Sequence, residues 1–138
     1  MAIPVGYTEL DKIGIFNKVF APWYVNNSGA IPKLGLTIRP ELCSDSRGVC
    51  HGGVLLSVAD FAMFNGIRNQ LDDQSTQVFT ISLSTDFTKV VKVGDFIEAE
   101  TTILKSGKSV VFAQCFITVN GVLVLRANGT YSLVKSST

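Results

Sequence analysis

Between Val78 and Phe87 apolar and polar side chains alternate: Phe79, Ile81, Leu83 and Phe87 fall on one face, Thr80, Ser82, Ser84 and Asp86 on the other. A period of two is the mark of a strand buried on one side. Asp95–Leu104, Ser109–Val119 and Val122–Val134 read as three more strands, joined by Lys105-Ser106-Gly107-Lys108 and by Asn120-Gly121, a pair suited to a tight hairpin turn. The pattern predicts a four-stranded antiparallel meander. Upstream the period changes. From Gly52 to Leu71 apolar residues occupy nearly every side of a helical wheel, which predicts a helix buried all round and ended by Asp72-Asp73-Gln74.

Residues 8–20 space Leu10, Ile13, Phe16 or Asn17, and Phe20 at helical intervals behind Thr8, a residue able to cap a first turn. A short N-terminal amphipathic helix is expected there. Pro22 ends it, and the chain to Leu42 reads as two extended segments around Asn26-Asn27-Ser28-Gly29, the second from Lys33 to Leu42. The sum is a single α+β domain over residues 1–138, a curled antiparallel sheet wrapped around one central helix. Lys135 to Thr138 are expected to be disordered.

At 138 residues the chain can bury a core without metals or crosslinks. Its net charge of +1, with basic residues scattered, offers no field for a polyphosphate backbone, so nucleic acid is not an expected partner. No apolar run reaches the roughly 18 residues of a membrane span, and MAIPVGYTELDKIG lacks a basic segment before an apolar stretch. A soluble, cytoplasmic protein follows as the expectation. Cys43, Cys50 and Cys115 are odd in number and without CxxC spacing, which argues against disulfides or a metal site. A Cys50–His51 thiolate pair is not expected, since helical neighbours point about 100° apart. The sequons at Asn26 and Asn128 carry no weight without export.

Chemistry concentrates in GVCHGGVLLSVADFAMF. Between Gly52 and Phe64 the only polar side chains are Ser57, which can bond its own helix, and Asp60. A carboxylate in an apolar setting costs several kcal/mol unless paired, so Asp60 is a candidate acid or base, the alternative being a helix-edge residue with a structural hydrogen bond. His51, the chain's one histidine, precedes Gly52 and Gly53 at the helix start, where unpaired N–H groups and the dipole suit an oxyanion. A capping role is the plainer reading of His51. His51 and Asp60 are nine positions apart, which places them on opposite sides of a helix and about 13 Å apart along it. If both serve one substrate, a second chain must supply one of them, and an isologous dimer follows.

These residues together resemble the hotdog-fold acyl-CoA thioesterases of the phenylacetate-degradation type, in the 4-hydroxybenzoyl-CoA thioesterase-like superfamily. The similarity spans nearly the whole chain, through the helix in a curled sheet, His51-Gly52-Gly53, Asp60 and the later DFTKVVKVGD. The resemblance implies Asp60 as general base or nucleophile, Gly52 N–H as the group that polarises the thioester carbonyl, and His51 as support. It also implies a site across a dimer, often within a tetramer, with an acyl-CoA substrate and no cofactor or metal. Where that family usually has Asn or Gln, this chain has Asp45, which accepts but does not donate when ionised. Thr80 matches the family's hydroxyl on the strand after the helix, yet alternation turns it away from Phe79 and Ile81, so only a bulge would bring it to the site.

Two rival functions share the scaffold: an enoyl-thioester hydratase or dehydratase with Asp45 and His51 as acid/base pair, and a noncatalytic acyl-CoA-binding module. Arg68, Lys89, Lys92, Lys105, Lys108 and Arg126 are candidates for the coenzyme A phosphates. Phe61, Phe64, Phe79, Trp23 and Tyr24 are candidates to line an acyl pocket, or core residues.

Overall fold

The computed structural model describes residues 3–135, so of the tail expected to be disordered all but Lys135 lies outside the described residues. Seven strands form one sheet: β1 (Thr8–Leu10), β2 (Trp23–Asn26), β3 (Lys33–Thr37), β4 (Gln77–Phe87), β5 (Phe96–Ser106), β6 (Val110–Val119) and β7 (Val122–Val134). Their spatial order is β1-β2-β3-β5-β6-β7-β4, every pair antiparallel. One long helix, α1 (Gly52–Gln70), packs against β4, β5, β6 and β7.

The core lies between α1 and the concave face of the sheet. Val58, Ala59, Ala62 and Met63 of the helix meet Leu34, Leu36, Ile97, Ile117 and Leu125 of the strands, all nearly or fully buried. Each large side chain so buried contributes about 1.5–3 kcal/mol, which is what holds a helix inside a curled sheet. The helix is not buried all round, however. Gly53, Ser57, Asp60 and Phe64, spaced four, three and four positions apart, form one stripe that stays partly or fully exposed. Among the described residues no helix is long and apolar enough to cross a membrane.

Four further expectations are corrected. Residues 8–20 do not form a helix: Thr8–Leu10 pair with Trp23–Val25, and only Phe16–Phe20 coil, as a 3-10 turn without a side-chain cap. Here a strand partner outweighs a weak helical spacing, as tertiary pairing overrides propensity elsewhere. The second extended segment stops at Thr37, because Pro40, which has no N–H to donate, opens a 3-10 turn over Pro40–Leu42. The meander holds three strands, not four, since β4 crosses over to pair with β7 at the sheet's far edge.

The fourth correction bears on the site. Phe79, Ile81, Leu83 and Phe87 do not share a face, because the β4–β7 register shifts between Thr80 and Ser82. Thr80 lies opposite inward-facing Tyr131, and past the shift Leu83 and Phe87 lie opposite inward-facing Gly129 and Leu125. One extra residue at Ile81 thus turns Thr80 inward and Phe79 outward, as a slip of one position must in a period-two element.

Candidate active site

Asp60 stands midway along the open stripe of α1 and is half-buried. It lines a cavity of about 290 Å³ together with Phe16, Asn17, Ser57, Phe61, Phe64 and Thr80. Its Oδ1 accepts two hydrogen bonds, from Thr80 Oγ1 at 3.0 Å and from the Tyr131 hydroxyl at 2.8 Å. Oδ2 accepts none from the described residues. One oxygen of the carboxylate is therefore tethered and the other is free for chemistry. Burial, and next the Asp60 charge, push the Tyr131 phenol far above its ordinary range, so it stays a donor throughout neutral pH. Ser57 bonds back to Gly53 O at 2.8 Å and leaves Asp60 alone.

The start of α1 is built by His51, whose extended backbone (φ −65°, ψ 133°) makes it the N-cap. Its ring Nδ1 accepts from Gly53 N–H at 2.8 Å, so in the neutral ring the proton sits on Nε2. Its carbonyl accepts from Val54 at 3.0 Å and Leu55 at 3.4 Å. These bonds satisfy the first-turn amides except one: Gly52 N–H has no acceptor among the described residues. A Cβ at position 52 would lie 3.3 Å from the Phe87 ring, and Gly52 and Phe87 share a cavity of about 320 Å³ with Lys89 and Val90. A free amide at the positive end of a helix dipole can hold an oxyanion there.

Asp45 is placed elsewhere. It lies on an exposed turn, bound by Arg47 through the guanidinium at 2.6 and 2.9 Å and the backbone N–H at 2.9 Å. The guanidinium bonds, then the backbone bond, hold its carboxyl below the usual range. It bonds neither His51 nor Asp60. Cys43 and Cys50 pair as a single bridge at the base of this loop, with both thiols free. Burial pushes the Cys50 thiol up to about 12, and its Sγ contacts the His51 carbonyl, so no thiolate–imidazole pair forms.

Of the aromatic candidates, Phe61 and Phe64 line the Asp60 cavity. Trp23 is fully buried, 4.8 Å from Phe61. Tyr24 packs by Phe96, and Phe79 is exposed on the other face. Arg68 is occupied by the carbonyls of Thr76 and Asp73, and Arg126 pairs with Asp86 at 2.9 Å. Lys89 and Lys92 border a cavity of about 340 Å³ near the helix start, while Lys105 and Lys108 border another at the β5–β6 turn. Sequence reasoning missed Phe16 and Tyr131. The second had a signal: it continues the inward row Leu125, Ala127, Gly129 of β7, where a polar-tipped ring needs a partner. Among the described residues no three metal-binding side chains cluster.

A family model described as "Thioesterase superfamily" matches residues 47–124, more than half of the chain and the whole span from helix start to β7. A Pseudomonas aeruginosa protein named "Putative esterase PA0474" is 26% identical over 134 residues, covering 96% of this chain and 98% of its own. Among solved structures, the PaaI protein from the E. coli phenylacetic acid degradation operon superposes with a TM-score of 0.77 at 18% identity, over 89% of this chain and 86% of that one. The BH2602 protein of Bacillus halodurans, solved with CoA, has a TM-score of 0.70 at 22% identity, over 80% and 71%. The fold common to these is the hotdog: a curled antiparallel sheet around one helix.

Proposed function

The chain belongs to the thioesterase superfamily and is a thioesterase; from that premise we propose that it hydrolyses acyl-CoA or aryl-CoA esters with Asp60 as its catalytic carboxylate. The observation that carries this reading is the half-tethered state of Asp60, with Oδ1 held by two hydroxyls and Oδ2 free on a partly apolar cavity. Oδ2 takes a proton from water as the water attacks the thioester carbon, or attacks that carbon itself. Negative charge then gathers on the carbonyl oxygen, where Gly52 N–H and the helix dipole hold it. The carbonyl re-forms as the C–S bond breaks, and the thiolate leaves as the thiol with the proton that Asp60 took from water or, where Oδ2 attacked directly, with one from solvent. The acid is then released at once in the first route and after a water cleaves the Asp60 anhydride in the second.

Asp60 and Gly52 of one chain are eight helical steps apart, about 12 Å along the axis, so they do not meet on one carbonyl. The reading therefore places Asp60 of one protomer against Gly52 of its partner in an isologous dimer with two sites. His51 serves by capping Gly53 and so leaving the neighbouring amide free. The relative solved with CoA supports a CoA ester as substrate, and Lys89 and Lys92 near the helix start suit its phosphates. The hydratase alternative loses support because Asp45, its required partner for His51, is held by Arg47.

The test is thiol release from acetyl-, octanoyl-, benzoyl- and phenylacetyl-CoA. Asp60→Asn is expected to lower kcat about 10²–10⁴-fold while its melting temperature and mass in solution stay those of the parent. Undiminished turnover in D60N overturns the assignment.

A further inference from the structure

We infer that Tyr131 is a positioning residue for Asp60: its buried hydroxyl pins Oδ1 and thereby presents Oδ2 to the reacting water or thioester carbon. This rests on the reading of Asp60 as the catalytic carboxylate. Three placements carry it. Tyr131 is fully buried on β7, and its hydroxyl lies 2.8 Å from Oδ1 and 3.4 Å from the Asp60 carbonyl. A hydroxyl has one proton, and the shorter, charged contact takes it. The ring also passes close to Gly129, its neighbour two positions back. A Cβ at 129 would sit 2.6 Å from Tyr131 Cε2, 3.0 Å from its hydroxyl and 3.0 Å from the Met63 methyl. Only glycine leaves that channel open, and the packing fixes where the hydroxyl points.

The second donor comes from the next strand. Thr80 lies opposite Tyr131 in the β4–β7 ladder, and the register shift just after it keeps its hydroxyl on the helix side. Both donors converge on one oxygen. An oxygen that accepts two hydrogen bonds is a weaker base than its free twin, and a carboxylate pinned at one oxygen cannot rotate to exchange them. The two donors are not equivalent. Thr80 is exposed, so water can take its place, whereas no water reaches the position of a fully buried phenol. The phenol also stays protonated where the enzyme works, so it donates without competing for the proton that Asp60 must accept.

Tyr131→Phe in the full chain, assayed by thiol release with the most rapidly hydrolysed ester of the four above, is expected to lower kcat about 10–100-fold and leave KM within threefold. The acidic limb of its pH profile moves to higher pH, because the charged carboxylate has lost a donor. Added to Asp60→Asn, the same change costs nothing further, as a group acting through Asp60 requires. Gly129→Ala keeps the hydroxyl but displaces the ring, and is expected to give the same kcat loss and pH shift. Should Y131F not fold, G129A carries the test alone. Parental kcat with an unmoved acidic limb in the folded variant overturns the inference, as does an equal fold-loss in the parent and D60N backgrounds. Neither result touches the assignment of Asp60, which fails only if D60N itself keeps its activity.

Discussion

The sheet has two free edges, and they are built to opposite ends. β1 is three residues long and mostly polar on its exposed side. β4 is eleven residues long and carries Phe79, Ile81 and Phe87 at 53, 56 and 50% exposure. Proteins blunt an edge they mean to leave in water by keeping it short or charged. β1 is blunted; β4 is not. Its exposed N–H and C=O row, with three large apolar side chains, has the makings of a self-pairing surface. It is also the strand that delivers Thr80 to Asp60 and Phe87 to Gly52. The proposed reading needs two chains to meet, and β4 is the edge whose length and apolar exposure suit that contact; if they join there, assembly and catalysis depend on the same eleven residues.

The largest effect should come from spoiling that edge at its middle. Ile81→Lys, which puts a charge on the exposed strand, is expected to convert the proposed dimer to monomer in sedimentation velocity and to lower kcat/KM about 10²–10³-fold. That is the range for losing an oxyanion donor, because a monomer keeps Asp60 but has no partner Gly52 to face it. An I81K protein that stays dimeric, or a monomer of parental activity, would show that β4 does not join the sites. A smaller effect is expected from Phe79→Ser. Phe79 faces away from the Asp60 cavity, so the loss is one buried aromatic side chain from each protomer, together about 3–6 kcal/mol, or a dimer dissociation constant raised roughly 10²–10⁴-fold. Turnover per dimer at high protein concentration should stay at the parental value. A fall there would place Phe79 in the site after all.

The contrast between the edges also shows what the sequence can and cannot carry. Periodicity is a local property, and it revealed α1, the strands β4 to β7 and the Asn120-Gly121 turn to within a residue or two. The chemistry of His51-Gly52-Gly53 and the isolation of Asp60 among apolar neighbours were equally local, and both stood out. Pairing is not local. That β4 crosses to β7 depends on residues about forty to sixty positions away, and the bulge at Ile81 exists only relative to that partner strand. Read alone, VFTISLSTDF is an unbroken alternation, which is why Thr80 looked turned from the site. The β7 row marked Tyr131 as inward, but its partner was hidden for the same reason: the hydroxyl matters only because Gly129, Met63 and Asp60, from two elements, leave it one place to go. The N-terminal residues failed in the other sense, since a five-residue turn and a three-residue strand mimic helical spacing by chance.

The smallest expected effect is at the opposite edge, and it decides whether the contrast is real. Thr8→Lys places on β1 the same charge that Ile81→Lys places on β4. Thr8 is exposed and pairs with Val25 through its backbone, which the substitution leaves intact. Stability by chemical denaturation is expected to stay within about 0.5 kcal/mol of the parent, with dimer mass and kcat/KM unchanged. If T8K dissociates the dimer as readily as I81K, the lysine acts through net charge rather than through the edge it occupies, and length and apolar exposure of a strand have ceased to explain where this chain assembles.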